Sequence, residues 1–258
     1  MIRVTRSIIP SLFTMMNLFC GFVAIVNASK GEFTLAAWMI VLGGIFDALD
    51  GAMARLTNSA SEFGVELDSL ADVVTFCAAP SFILYTAYFK NLGTVGIVIA
   101  GLPAICGALR LARFNVQLVG FNKDYFRGMP VPSAALILIS YLVFYHLRDN
   151  QIIAESYKPA ILTTLTIGIS LLMVSTIKYD TFPSLSPHNI RSHPIKFASI
   201  IIAIAICLAS KGLLLFPVML VYLTFGIIRQ TLNFFKQRSD DDEDSDSVEE
   251  DEPSPFDD

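Results

Sequence analysis

The chain has 258 residues, 54% of them hydrophobic, and a mean hydropathy of +0.61. Such an excess of long apolar runs excludes an ordinary water-soluble domain. The formal charge of −5 misleads. Residues 239–258 carry 12 of the 23 acidic residues and no basic one, which leaves 18 basic against 11 acidic residues in the remainder, a net of +7 suited to anionic headgroups or phosphates.

A bilayer core asks about 20 apolar residues of a helix. Eight such runs are predicted, at 10–28, 32–55, 67–89, 93–115, 131–147, 159–177, 195–210 and 212–234, of which the fifth and seventh are short. The fold class expected is therefore all-α, a polytopic membrane helix bundle. Residues 1–238 form its transmembrane domain, and the acidic stretch 239–258 is expected to be a disordered tail. The opening MIRVTRSII is too weakly apolar before Pro10 for a cleaved signal and suits an interfacial lead into the first run. Pro130 and Pro132 mark a break before the fifth run.

Eight crossings sort the 18 Lys and Arg residues unequally. Thirteen fall on one side, and only Lys30, Lys90, Arg148, Lys158 and Lys211, five in all, on the other. Positive charge marks cytoplasmic loops, so both termini are expected on the cytoplasmic side. Cys20, Cys77, Cys106 and Cys207 lie in apolar runs without CxxC spacing and suit buried packing. His188 and His193 sit in a polar loop and are weak candidates for metal ligands. No nucleic-acid motif is visible.

Against this apolar background stand Asp47, Asp50, Asp68 and Asp72. Carboxylates near bilayer depth are costly unless they face a cavity and meet cations, so they mark a functional site. Asp47, Asp50, Gly51 and Ala54 follow one another at i, i+3, i+4 and i+7 on one helix face, while Asp68 and Asp72 are i and i+4 on the next run. The polar stretch between them turns the chain, which makes the two helices antiparallel neighbours and brings all four carboxylates to one depth. Four such groups repel one another unless divalent cations compensate them, and an oxygen-only donor set selects Mg²⁺ or Mn²⁺. Two ions about 3.5 to 4 Å apart recur in displacement at phosphorus. Gly51 admits a phosphate or nucleotide close to the backbone, and Arg55 offers a planar fork to a phosphate oxygen.

Written out, DALDGAMARLTNSASEFGVELDSLAD resembles the signature of the CDP-alcohol phosphatidyltransferase family, D-x-x-D-G-x-x-A-R-x8-G-x3-D-x3-D. Asp47, Asp50, Gly51, Ala54, Arg55, Gly64, Asp68 and Asp72 match every fixed position. Within that family the segments IPSLFTMMNLFCGF, LRLARFNV, FRGMPVPSAA and VSTIKYDTFPS are most similar to the membrane-embedded phosphatidylserine synthases. The resemblance implies transfer of a phosphatidyl group from CDP-diacylglycerol to L-serine, with release of CMP. It also implies two metal ions on the four aspartates, a CDP pocket lined by Gly51, Ala54, Arg55 and Gly64, Asp72 as general base, and a homodimer.

The acceptor is a small zwitterion whose carboxylate wants a cation. Arg110, Arg113 and Asn115 at the cytoplasmic end of the fourth run are the first candidates, with Arg127 and Lys178 behind them. Thr14 and Asn17, i and i+3 on the first run, are candidates for the nucleotide or for interhelical hydrogen bonds. Two rival functions remain open here. One is the same chemistry with glycerol 3-phosphate, inositol phosphate or choline as acceptor. The other is a cation-coupled transporter, although no inverted repeat is evident between the two halves.

Overall fold

The computed structural model describes residues 2–57, 61–119, 128–148, 153–177, 209–210, 212–221 and 223–224. Every regular element among them is helical: α1 (Ile2–Ser29), α2 (Phe33–Thr57), α3 (Glu62–Asp72), α4 (Ala79–Ala87), α5 (Gly93–Val119), α6 (Val131–Tyr141) and α7 (Lys158–Val174). A π-helical turn, Val73–Ala78, joins α3 to α4 in one continuous rod, and a second, Leu142–His146, extends α6. Among the described residues, four helices are long and apolar enough to cross a membrane: Pro10–Ser29, Phe33–Thr57, Glu62–Ala87 and Phe89–Val116. Val131–His146 and Lys158–Val174 are shorter apolar helices. The expected seventh and eighth runs and the acidic tail fall largely or wholly outside the described residues.

Local chemistry sets the boundaries. Gly31 ends α1 with φ +80°, a left-handed conformation that an L side chain rarely adopts. Thr57 closes α2 with its hydroxyl on the Met53 carbonyl at 2.7 Å. Ser61, extended at φ −133° and ψ 151°, caps α3 by accepting the Gly64 N–H at 3.1 Å, and Glu62 follows in the first turn, where the helix dipole favours an acid. This cap starts the helix at Glu62, five residues before the apolar run begins at 67, so Asp68 and Asp72 lie well inside it.

The π turn has an identifiable cause. Pro80 has no N–H to give the carbonyl one turn back, and its ring crowds that carbonyl. The strain is taken up just before it, where the Ala79 N–H reaches back to the Val74 carbonyl. At the start of α6, Pro130 is the N-cap residue and proline occupies the first turn, which accounts for the break expected there.

Small residues bring the helices together. Gly21 on α1 and Gly43 on α2 both abut Thr75 in the π turn, where an added Cβ would lie 2.5 Å from its Oγ1 and 2.6 Å from its Cγ2. Gly107 on α5 meets the Cys77 thiol in the same way, at 2.5 Å from Sγ. Cys20, Cys77 and Cys106 are buried, as packing residues should be. Gly128, at φ +89°, threads past the end of α7, its N–H on the Ile177 carbonyl at 2.8 Å, and an added Cβ would collide with the Met173 carbonyl at 2.2 Å. α1, α2, the α3–α4 rod and α5 thus meet around the π turn, directly beside Asp72.

Candidate active site

α2 runs toward the capped start of α3, but the two helices do not pack along each other as the polar connection predicts: α1 packs against both, and the aspartates reach toward one another from α2 and α3. Asp47 and Asp50 come from the second half of α2, Asp68 and Asp72 from α3. One ligand oxygen each from Asp47, Asp50 and Asp68 lie within 4.8 Å of one another. Asp72 is one turn deeper, 8% exposed, and the charges of Asp47, Asp68 and Asp50 all act on it. Its Oδ1 accepts a hydrogen bond from Asn17 Nδ2 at 3.1 Å.

The donor set fits a hard divalent cation. Asp50 Oδ2 and Asp68 Oδ1 are enclosed and accept no hydrogen bond, and a buried carboxylate that is to stay ionised without a proton donor needs a positive charge opposite it. Oxygen ligands alone, without His or Cys in the cluster, suit Mg²⁺ or Mn²⁺ and disfavour zinc.

Around this cluster the other expected residues fall in distinct places. Thr14 is buried, and its hydroxyl donates to the Pro10 carbonyl at 3.2 Å. The Arg55 guanidinium lies along Gly51, with Nη1 3.5 Å from where a Cβ would stand, so the missing side chain leaves room for it. Arg55 itself is exposed and Ala54 half-buried. Gly64 has a local task as well: an added Cβ would crowd the capping Ser61 Oγ at 3.2 Å.

The structure separates the three candidates at the end of α5. Arg110 is half-buried with its Nε enclosed, one turn beyond Gly107, which abuts Cys77 on the rod. Arg113 reaches the other way, its Nη1 3.5 Å from the Val174 carbonyl at the end of α7. Asn115 bonds Ser69 on α3, with Nδ2 to Oγ at 2.9 Å, and approaches Glu66 Oε2 at 3.5 Å. Arg127, Lys178, His188 and His193 lie outside the described residues.

Three of the four signature aspartates thus converge from α2 and α3, with Asp72 a turn deeper. A model of the family described as CDP-alcohol phosphatidyltransferase matches residues 7–172. The chain belongs to that family.

Relatives of similar length support the assignment. A CDP-diacylglycerol–serine O-phosphatidyltransferase of Helicobacter pylori is 36% identical over 221 residues, 85% of this chain and 90% of that protein. One from Methanocaldococcus jannaschii is 39% identical over 223 residues, 86% of this chain and 93% of that protein. An archaetidylserine synthase of Methanothermobacter thermautotrophicus is 35% identical over 173 residues, 66% of this chain and 69% of that protein. The family's enzymes work within membranes, and the four long apolar helices make this chain an integral membrane protein.

Sequence reasoning overlooked Thr75, Gly21 and Gly43, which hold α1 and α2 against the rod beside Asp72. Spacing carries a signal for each. Thr75 is i+3 from Asp72, Gly21 is i+4 from Asn17 and Gly43 is i−4 from Asp47, so each shares a helix face with a polar residue of the site.

Proposed function

We propose that this protein is a phosphatidylserine synthase: it transfers the phosphatidyl group of CDP-diacylglycerol to the hydroxyl of L-serine, giving phosphatidylserine and CMP. The observation that carries this reading is the carboxylate cluster itself, formed by the aspartates of the family signature, in a chain whose relatives across most of its length are named for that reaction. The new bond joins the serine Oγ to the phosphorus of the diacylglycerol phosphate, and the bond from that phosphorus to the CMP oxygen breaks. Asp72 takes the hydroxyl proton as general base. Asp47, Asp50, Asp68 and Asp72 hold two divalent ions, Mg²⁺ or Mn²⁺, which when bound offset charge on the pyrophosphate and on the departing CMP.

Gly51, Ala54, Arg55 and Gly64 line the CDP pocket, with Thr14 beside Asp50 at its inner wall. Arg55 is already folded along Gly51, where its planar fork can meet a phosphate oxygen. Arg110 is the group best placed to receive the serine carboxylate, because it is half-buried one turn from Gly107, on the helix that meets the π turn beside Asp72. Arg113 and Asn115 flank that opening, and Arg127 and Lys178 complete its basic rim.

The proposed setting is a bundle of eight spans in the cytoplasmic membrane, residues 1–238, with both termini and the active site facing the cytoplasm and 239–258 as a solvated tail. The bundle works as a homodimer. The lopsided distribution of Lys and Arg supports the orientation.

An acceptor panel tests the function. Purified protein is supplied with CDP-diacylglycerol, Mn²⁺ and, in turn, serine, glycerol 3-phosphate, inositol phosphate and choline. Serine-dependent release of CMP and formation of phosphatidylserine, both abolished by chelation, are expected. Turnover of another alcohol with none of serine would transfer the reading to a different member of the family.

A further inference from the structure

We infer that Asn17 is a positioning residue for Asp72: its amide holds one oxygen of that carboxylate and so turns the other toward the remaining aspartates. The inference rests on the metal-dependent reading above and assigns Asn17 a task other than contact with the nucleotide.

Asn17 is 0% exposed, and its Nδ2 donates to Asp72 Oδ1 across a sequence separation of 55 residues. An ionised carboxylate can only accept, so the amide must present its nitrogen there. The amide is also held from behind. Thr75 Oγ1 donates to the Asn17 backbone carbonyl at 2.9 Å, which ties this turn of α1 to the π turn that follows Asp72. Gly43 closes the remaining side, since an added Cβ would stand 3.0 Å from Asn17 Oδ1.

Enclosed in this way, Asn17 Oδ1 has no hydrogen-bond partner. A leucine in the same place would fill the space without that cost, so packing alone does not account for an amide. The nitrogen accounts for it. A short Asp side chain has two rotatable bonds, and fixing one oxygen removes the freedom that would otherwise be lost when ligand or substrate binds.

The test measures Mn²⁺ binding by the loss of the free-ion paramagnetic resonance signal, alongside steady-state kinetics, on purified full-length protein. Asn17→Ala should weaken Mn²⁺ binding and lower kcat, each by about 10- to 100-fold, as loss of a hydrogen bond to a ligand carboxylate does elsewhere. KM for CDP-diacylglycerol should stay at its wild-type value. Thr75→Val, which keeps the shape and removes the hydroxyl, should shift both quantities in the same direction by less.

Wild-type Mn²⁺ affinity in Asn17→Ala would overturn the inference, and a raised KM for CDP-diacylglycerol as the only change would give Asn17 to the nucleotide instead. Should Asn17→Ala fail to fold, Thr75→Val decides by the same two readings. Asp47→Asn serves as the reference. If the wild type binds no Mn²⁺ that Asp47→Asn removes, the metal reading itself falls, whereas normal wild-type binding that Asn17→Ala leaves intact sinks only the positioning role.

Discussion

Buried charge occurs at both ends of the bundle and is handled in opposite ways. At the far end from the aspartates, Lys158 is 2% exposed, yet its ammonium meets the Glu155 carboxylate and the Arg148 carbonyl, the latter at 3.0 Å. Nearby, the Tyr141 hydroxyl donates to the Lys158 carbonyl at 3.2 Å and the Tyr145 hydroxyl to the Leu213 carbonyl at 2.8 Å. Around Asp50 and Asp68, by contrast, like charges are gathered and enclosed oxygens are left without donors. A charge compensated from within the chain serves the fold, while one left uncompensated by the chain waits for something the chain does not supply.

Mutation at the acidic end gives the largest expected effect. Asp72→Asn keeps the volume and the hydrogen-bonding edge but loses the negative charge, so turnover should fall by about 10²- to 10⁴-fold while the protein stays folded and inserted. Initial rates on detergent-purified protein, with size-exclusion profiles as the folding control, measure this. A wild-type rate would remove Asp72 as the base and leave the acidic end no more chemical than the far one.

Arg113→Ala comes next. On the rim of the opening behind Arg110, the Arg113 charge attracts the serine carboxylate without a direct hydrogen bond, so KM for serine should rise about threefold, with KM for CDP-diacylglycerol little changed. The contact with Val174 frames the alternative. An equal loss for both substrates would make Arg113 a cap for the end of α7 and move it from the chemical to the structural side of the comparison.

How much of this was legible in the sequence follows the range of the interactions. Asp47 to Ala54 and Asp68 to Asp72 were readable because helical spacing is local, whereas the antiparallel pairing implied by the polar link is not what forms: α1 packs against both helices and they scarcely touch each other. The start of α3 was missed by five residues because hydropathy does not register a serine cap. Asn17 could be placed on a polar face, but its partner is 55 residues away and only packing reveals it. Arg113 and Asn115, two residues apart and grouped by composition, diverge because successive helical positions point about 100° apart, sending one to α7 and the other to α3. Lys158 was assigned to an outer loop by charge counting, yet the structure buries it at the first turn of α7, where Glu155 and a loop carbonyl are within reach. Charge counting locates a residue along the membrane normal and is silent on whether it faces solvent or protein.

Lys158 also supplies the smallest and most discriminating prediction. Lys158→Met preserves the length of the stem and removes the ammonium. The Arg148 carbonyl then loses a donor, while Glu155, 73% exposed, can turn to water at little cost. The bond from Tyr141 goes to backbone and survives the change. Unfolding free energy should therefore drop by about 1–3 kcal/mol, the usual cost of a buried polar group left unpaired. The readout is a lower thermal midpoint in detergent. Mn²⁺ binding and kcat per folded molecule should be unchanged, because the far end touches neither substrate nor the aspartates. A variant with normal thermal stability but altered kcat would mean that the compensated charge also takes part in function, and the contrast between the two ends would no longer separate chemistry from architecture.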